Sequence, residues 1–245
     1  MVEWTLWGMP EMAVADTLPV IFLPGWGCSG RMLSLCAPAG PWWSMAGQID
    51  PGTLLADLEE LLDRQGWPRV ILVGWSMGAR LALEFASLHP DRIEALTLLA
   101  IRRSWPESEI AAIRRELLVD PDVFLRGFYR KCFLGRKEAW RQFVNRYQGL
   151  ELHEADLSAL EAGLFLLQTP LAQVLEQLRQ SGFPAARIWL LHGENDIIAP
   201  CSERLLLDGA RQVILQNEGH ALFLAPSVRG LTFLSPSVAG GLSQG

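Results

Sequence analysis

Val70-Ile71-Leu72-Val73-Gly74-Trp75-Ser76-Met77-Gly78-Ala79 is the stretch that decides how this chain folds. Four apolar residues, three of them β-branched, read as a buried strand. Leu81, Ala82, Leu83, Phe85, Ala86 and Leu88 then read as a strongly apolar helix ending near His89-Pro90. Between them stands a G-x-S-x-G turn. Such a turn holds its serine in a strained backbone and lifts the hydroxyl clear of the sheet, while the flanking glycines admit close neighbours that a Cβ would block. The bare pattern arises by chance in about one in ten chains of this composition. The strand before it and the helix after it are what make it specific.

Working outward, strands and helices alternate. Val2 to Trp7, Leu18 to Leu23 and Trp43 to Ala46 read as strands, with the glycine-rich loop Pro24-Gly25-Trp26-Gly27-Cys28-Ser29-Gly30 closing the second. Leu54, Leu55, Leu58, Leu61 and Leu62 form the apolar stripe of a helix that Thr53 can cap. A strand through Ile93, Leu96, Leu98 and Leu99 follows the helix after Ser76. From Ile101 to Phe183 strand signals vanish. Ser104 with Glu107 resembles a capping box, and Asp120-Pro121 and Thr169-Pro170 each place a cap before a first-turn proline. Trp140, Phe143, Val144 and Tyr147, then Leu171, Val174, Leu175 and Leu178, keep helical spacing. Strands resume at Ile188 to Leu191 and Val213 to Leu215, and a last helix is expected near Pro226. This order predicts an α/β fold: a mostly parallel central sheet flanked by helices, with ligands at the C-terminal ends of its strands. Residues 1–100 and 184–245 form the two parts of the core, and 101–183 form an inserted helical lid over Ser76.

Composition bounds the chemistry. The 245 residues are 50% hydrophobic and 20% charged, enough for one sizeable core. Cys28, Cys36, Cys132 and Cys201 are widely spaced, read as reduced thiols, and argue against a zinc site. The first basic residue is Arg31, and no apolar run approaches the ~18 residues that span a bilayer. A cytoplasmic monomer is expected.

A serine hydroxyl needs a base within hydrogen-bond reach and a carboxylate to hold that base. Where the serine sits on such an elbow, the acid and then the histidine follow it in the chain. His89 and His153 precede any acid at a strand end, and His192 stands immediately before the acid candidates. His220, in Asn217-Glu218-Gly219-His220, follows them and is the base. Asp196, in Gly193-Glu194-Asn195-Asp196, is the acid, with Glu194 the weaker candidate. The backbone N–H groups of Met77 and Trp26 are the expected donors to the oxyanion. No metal or organic cofactor is needed.

With these residues assembled, the chain resembles the α/β-hydrolase superfamily along essentially its whole length. More narrowly, Leu23-Pro24-Gly25-Trp26-Gly27, Gly74-Trp75-Ser76-Met77-Gly78, Gly193-Glu194-Asn195-Asp196-Ile197-Ile198 with Pro200, and Gly219-His220-Ala221 resemble the pimeloyl-acyl-carrier-protein methyl ester esterases of biotin synthesis. The resemblance implies removal of a methyl ester from a dicarboxylate chain held on its carrier protein. It also implies substrate contact for Trp26 and Met77, and for Phe143 as a lid phenylalanine. Pro24 stands where that family usually carries His, and Ala79 where glycine is common. Thioesterases and general short-chain esterases of the same fold would share every catalytic residue. A non-catalytic ligand binder built on a silenced hydrolase is the reading outside enzymes. Epoxide and haloalkane hydrolases resemble this fold with Asp, not Ser76, at the elbow.

Charge adds a separate pointer. Residues 102–146 hold 11 of the 21 basic residues against six acidic ones, a local +5 that leaves −11 for the rest of the chain. Arg126 with Arg130, and Lys137 with Arg141, are i, i+4 pairs that present positive charge on a helical face and would steer an acidic carrier protein. The alternative is an ordinary solvated face. Nucleic acid is not an expected partner, given the total charge of −6 and the lack of a binding motif.

Overall fold

The computed structural model describes residues 3–7, 18–36 and 42–229. Seven strands form one sheet: β1 (Trp4–Trp7), β2 (Val20–Leu23), β3 (Trp42–Met45), β4 (Val70–Trp75), β5 (Ile93–Leu99), β6 (Ile188–Gly193) and β7 (Arg211–Leu215). Their order is β1-β3-β2-β4-β5-β6-β7, antiparallel between β1 and β3 and parallel at every other pairing. Every residue of β2, β4 and β6 is buried. Strands covered on both faces need continuous apolar runs, which is why Val70 to Val73 reads as it does. At the edge, β7 alternates half-buried and exposed residues instead. Val2, and residues 230–245 where the second part of the core is expected to end, lie outside the described residues.

Two helices, α1 (Leu54–Arg64) and α2 (Met77–Leu88), separate the early strands, and α9 (Pro226–Arg229) follows the last. Ten of the twelve residues of α2 are buried. It lies between β4 and β5 on one side and the later helix α8 (Ala172–Ser181) on the other, so it is apolar almost all round. Five more helices stand between β5 and α8: α3 (Glu107–Val119), α4 (Pro121–Cys132), α5 (Lys137–Arg146), α6 (Gln148–His153) and α7 (Leu157–Gln168). The inserted segment is therefore not all cover, because α8 completes the layer around α2.

Three expected caps are not made. Thr53 adopts αR geometry and offers α1 no side-chain bond; Asp50 serves that end, its carbonyl accepting from Thr53 and Leu54 and its carboxylate from Gly52 at 2.8 Å. Ser104 and Glu107 form no capping box, because Pro106 displaces the start of α3 to Glu107. Thr169 closes α7 instead of opening the next helix, and its hydroxyl donates to the Phe165 carbonyl at 3.1 Å. Asp120 does cap α4, accepting from the Val123 N–H at 3.0 Å ahead of Pro121.

The inserted helices grip the loop after β2. Tyr129 of α4 donates to the Gly27 carbonyl at 2.7 Å, and the Trp26 indole donates to the Leu160 carbonyl of α7 at 2.8 Å. Glu151 of α6 is fully buried and accepts from the Ser29 hydroxyl. Gln48 bridges the Gly27 and Glu151 carbonyls at 3.1 and 2.9 Å. Arg31 pairs with Glu154 at the rim, at 2.6 Å.

Candidate active site

Ser76 occupies the turn between β4 and α2 with φ 56° and ψ −116°, a conformation that costs a non-glycine residue of order 1–3 kcal/mol and persists only where its surroundings enforce it. They do so here. The Ser76 N–H donates to the Leu99 carbonyl at 2.8 Å, and its own carbonyl accepts from Ala79 and Arg80 at 3.0 and 3.3 Å. A Cβ on Gly78 would stand 2.1 Å from the Leu23 carbonyl oxygen and 2.4 Å from that of Pro24. A Cβ on Gly74 would stand 2.4 Å from the Gly78 oxygen. Both glycines of the turn are thus required by backbone packed on backbone. The same closeness brings the first N–H groups of α2, which no helix can satisfy internally, beside the Pro24–Gly27 loop.

The acid and the imidazole meet across 24 residues of sequence. Asp196 lies in the loop after β6, its side chain out of contact with solvent. One carboxylate oxygen accepts from the backbone of Ile198 and Ala199 at 2.9 and 2.8 Å, and the other accepts from His220 Nδ1 at 2.8 Å. Burial pushes the Asp196 carboxyl up, but the His220 charge and hydrogen bond, with the two backbone donors, outweigh it and hold the group below the usual carboxylate range. Glu194 turns away and accepts from the Asn217 N–H at 3.0 Å, so Asp196 is the acid that reaches the ring. His220 Nε2 is buried and has no hydrogen-bond partner, so no bond joins it to the Ser76 hydroxyl.

Two supports of this pair are silent in the sequence. Trp75, next to Ser76, donates its indole N–H to the His220 carbonyl at 2.8 Å and stacks obliquely on the imidazole, with ring centres 5.4 Å apart. His192 sits with Nε2 at 2.6 Å from the Ala199 carbonyl and 3.8 Å from the Asp196 carboxylate. Burial pushes its pKa down, which favours the uncharged ring. Neither role has a local signature, since each depends on segments far apart in the chain.

Ser76 opens on a cavity of about 240 Å³ between the sheet and the inserted helices. Trp26 lines it, meeting Phe124 and Phe128 of α4 edge to face at 6.2 and 5.2 Å. Lys131 stands in its wall, one turn beyond Phe128. Phe143 does not reach the cavity. It is fully buried between Phe133 and Tyr129, with ring centres 5.0 and 5.2 Å away, because α5 turns its apolar stripe into the helical layer. Phe124 and Phe128 hold the place foreseen for it. Met77 is buried outside the cavity wall, which leaves its backbone N–H as the atom relevant to Ser76.

Arg126, Arg130, Lys137 and Arg141 are all exposed on α4 and α5. Arg126 lies 3.9 Å from Asp122 and Arg141 2.7 Å from Glu138. Arg130 and Lys137 have no ion-pair partner among the described residues. Among those residues no cluster of three or more His, Cys, Asp or Glu side chains is arranged to hold a metal, and no helix is long and apolar enough to cross a membrane.

A strained serine elbow at the C-terminal ends of parallel strands, its neighbouring tryptophan packed on a histidine held by a buried aspartate, has one well-populated home among known folds. The chain belongs to the α/β-hydrolase fold family, whose sequence model matches residues 23–225. It is an enzyme, a hydrolase of the kind that cleaves carboxylic esters. Over 172 residues, 64% of this chain and 66% of the relative, it is 30% identical to a pimeloyl-[acyl-carrier protein] methyl ester esterase of Nitrosomonas europaea. It is 28% identical to the enzyme of that name from Aeromonas hydrophila, over 89% of this chain and 87% of that one. An α/β-hydrolase enzyme from a Medee basin deep-sea metagenome library superposes with a TM-score of 0.71 at 15% identity, covering 100% of this chain and 96% of that one; this is a likeness of fold.

Proposed function

We propose that the protein is a serine carboxylesterase in which Ser76 is the nucleophile, His220 the general base and Asp196 the group that orients it. The observation that carries this reading is the 2.8 Å bond between the buried Asp196 and His220 Nδ1, which leaves Nε2 unbonded on a ring packed against Trp75, the residue before the strained Ser76. With substrate in the cavity and water displaced, the Ser76 hydroxyl closes on Nε2, since such bonds are often loose until substrate binds. Ser76 Oγ adds to the ester carbonyl as its proton passes to His220. The oxyanion takes the Met77 and Trp26 N–H groups, each worth roughly 3 kcal/mol by analogy with measured sites. Collapse breaks the bond between acyl carbon and alkoxide, and His220 returns the proton to the departing alcohol. Water then adds to the acyl-enzyme, giving His220 its proton, and the carboxylic acid leaves as Ser76 is re-protonated.

The proposed substrate is a pimeloyl methyl ester still attached to its acyl-carrier protein, cut in the course of biotin synthesis. Three observations support it: the names of the relatives, the largely apolar cavity beside Ser76, and the exposed cations on α4 and α5, which suit an acidic carrier. Within residues 101–183, helices α3 to α7 act as the lid that covers the acyl chain. Rates on a carrier-bound methyl ester and on a free methyl ester of the same acid test this. Ser76→Ala should lose at least about 10³-fold on both. Arg126→Ala with Arg130→Ala should lower kcat/KM for the carrier-bound ester alone, an effect that added salt reproduces. Equal losses on both esters would leave an esterase of free substrates, and a largely active Ser76→Ala would remove the catalytic assignment.

A further inference from the structure

Besides the large cavity, Ser76 borders a crevice of a different character. Arg80, Arg102 and Arg103 line it, and among the described residues no carboxylate does. The three charges are not equally met. Arg102 is nearly inaccessible and clamped by Glu109 at 2.9 Å and by Glu203 at 2.6 Å, so its guanidinium is answered within the fold. Arg103 is exposed and has no ion-pair partner among the described residues. Arg80 stands apart from both. It follows Ser76 by four residues, one turn into α2, and is only 5% exposed. Its Nη1 donates to the Thr169 carbonyl, but its Nε is buried without a partner and no hydrogen bond engages its Nη2. Glu84, one turn further along α2, acts on it from beyond ion-pair distance, and burial pulls its pKa down. An arginine keeps its charge all the same, and a charge removed from water without a close counter-charge is destabilising until a ligand supplies one.

We infer that this crevice is a carboxylate-binding subsite one helical turn from Ser76, with the Arg80 guanidinium as its cation and Arg103 as a second, exposed positive charge. The donor set names the ligand. Nε and Nη2 form one edge of the planar guanidinium, two parallel N–H groups whose spacing matches the two oxygens of a carboxylate. Such a group has two sources. Ester hydrolysis at Ser76 sets a carboxylate free at this wall in every turnover. An acid group already on the ester, a few bonds from the scissile carbonyl, would reach the same arginine. In either case the apolar remainder of the ligand has the large cavity to occupy.

This inference rests on Ser76 as the nucleophile for the position of the ester, and deepens that reading by naming a charged group the site accepts. The first arm of the test measures binding without turnover. Titration calorimetry at pH 8 on the full chain carrying Ser76→Ala should show hexanoate binding at least about tenfold more tightly than hexanamide, its uncharged counterpart. Arg80→Gln in that background should erase the preference, and Arg80→Lys should keep part of it. The second arm compares wild-type kcat/KM for monomethyl succinate and for methyl 4-methylpentanoate, in which an isopropyl group replaces the carboxylate. A preference of about tenfold for the charged ester assigns the subsite to an acid on the substrate; a preference confined to hexanoate assigns it to the freed product. No advantage for charge in either arm would overturn the inference, and that comparison stands if Arg80→Gln does not fold. So would an advantage that survives Arg80→Gln, or a variant that loses hexanoate and hexanamide alike, which is the mark of a purely structural arginine. Activity that persists in Ser76→Ala would sink the catalytic reading instead, and leaves the binding comparison to decide the subsite.

Discussion

Glu151 makes folding stability depend on pH in a direction opposite to that of an ordinary carboxylate. Burial against the β2 loop pushes its pKa from about 4.5 up to about 7, and the Ser29 hydroxyl, Arg31 and Gln48 pull it only part of the way back. Below pH 4.5 the group is protonated in both states and adds no pH dependence. Between 4.5 and 7 the unfolded chain ionises while the native one keeps its proton, so stability falls as pH rises. Above 7 the loss is constant. Each tenfold change in proton affinity is about 1.4 kcal/mol, so the full loss is on the order of 3 kcal/mol. Glu151→Gln keeps the shape and the hydrogen-bonding reach of the protonated acid but cannot ionise. Urea unfolding of both proteins at pH 4.5 and pH 8 isolates this group, because every other titration is common to the two. We expect near-equal stability at pH 4.5 and a gain of about 3 kcal/mol for the variant at pH 8, a rise in Tm of roughly 6–12 °C for a chain of this size. A difference that stays the same at both pH values would refute the reasoning, since it would mean that Glu151 is not held neutral by its burial.

Gly78→Ala should be among the most damaging small substitutions in the chain, because its Cβ would meet the backbone oxygens of Leu23 and Pro24, which cannot yield without opening the sheet; we expect a loss of more than about 3 kcal/mol in denaturant unfolding. Gly163→Ala separates activity from stability. Its Cβ would stand 2.5 Å from Trp26 Cδ1 and 3.0 Å from Met77 Sδ, side chains that can move, so kcat/KM should fall by at least about tenfold while Tm changes by only a few degrees.

The same chain shows how far reading by residue carries. The strands, the glycine-flanked elbow at Ser76 and the meeting of Asp196 with His220 were legible because each rests on local chemistry: an apolar run, two glycines around a serine, a histidine in the loop after the last strand. The caps show the limit. Asp120 works as its sequence suggests, but Thr53, Ser104 and Thr169 do not, since Asp50, Pro106 and the end of α7 already determine those backbone positions. Phe143 shows another limit. Its helical spacing marks it as apolar and inward-facing, yet whether inward means the cavity or the layer behind it depends on how α5 packs against α4.

What the sequence determined on its own is therefore the class of fold and the strained turn that presents Ser76, because period, glycine placement and chain order act over a few residues or follow from the elbow itself. What the tertiary structure alone decided is what surrounds that turn. The contact between Asp196 and His220, the Trp75 and His192 supports, and Phe124 and Phe128 in the cavity all arise where distant segments meet. Distances between such segments are set by how the helices pack on the sheet, and no stretch of residues encodes them locally.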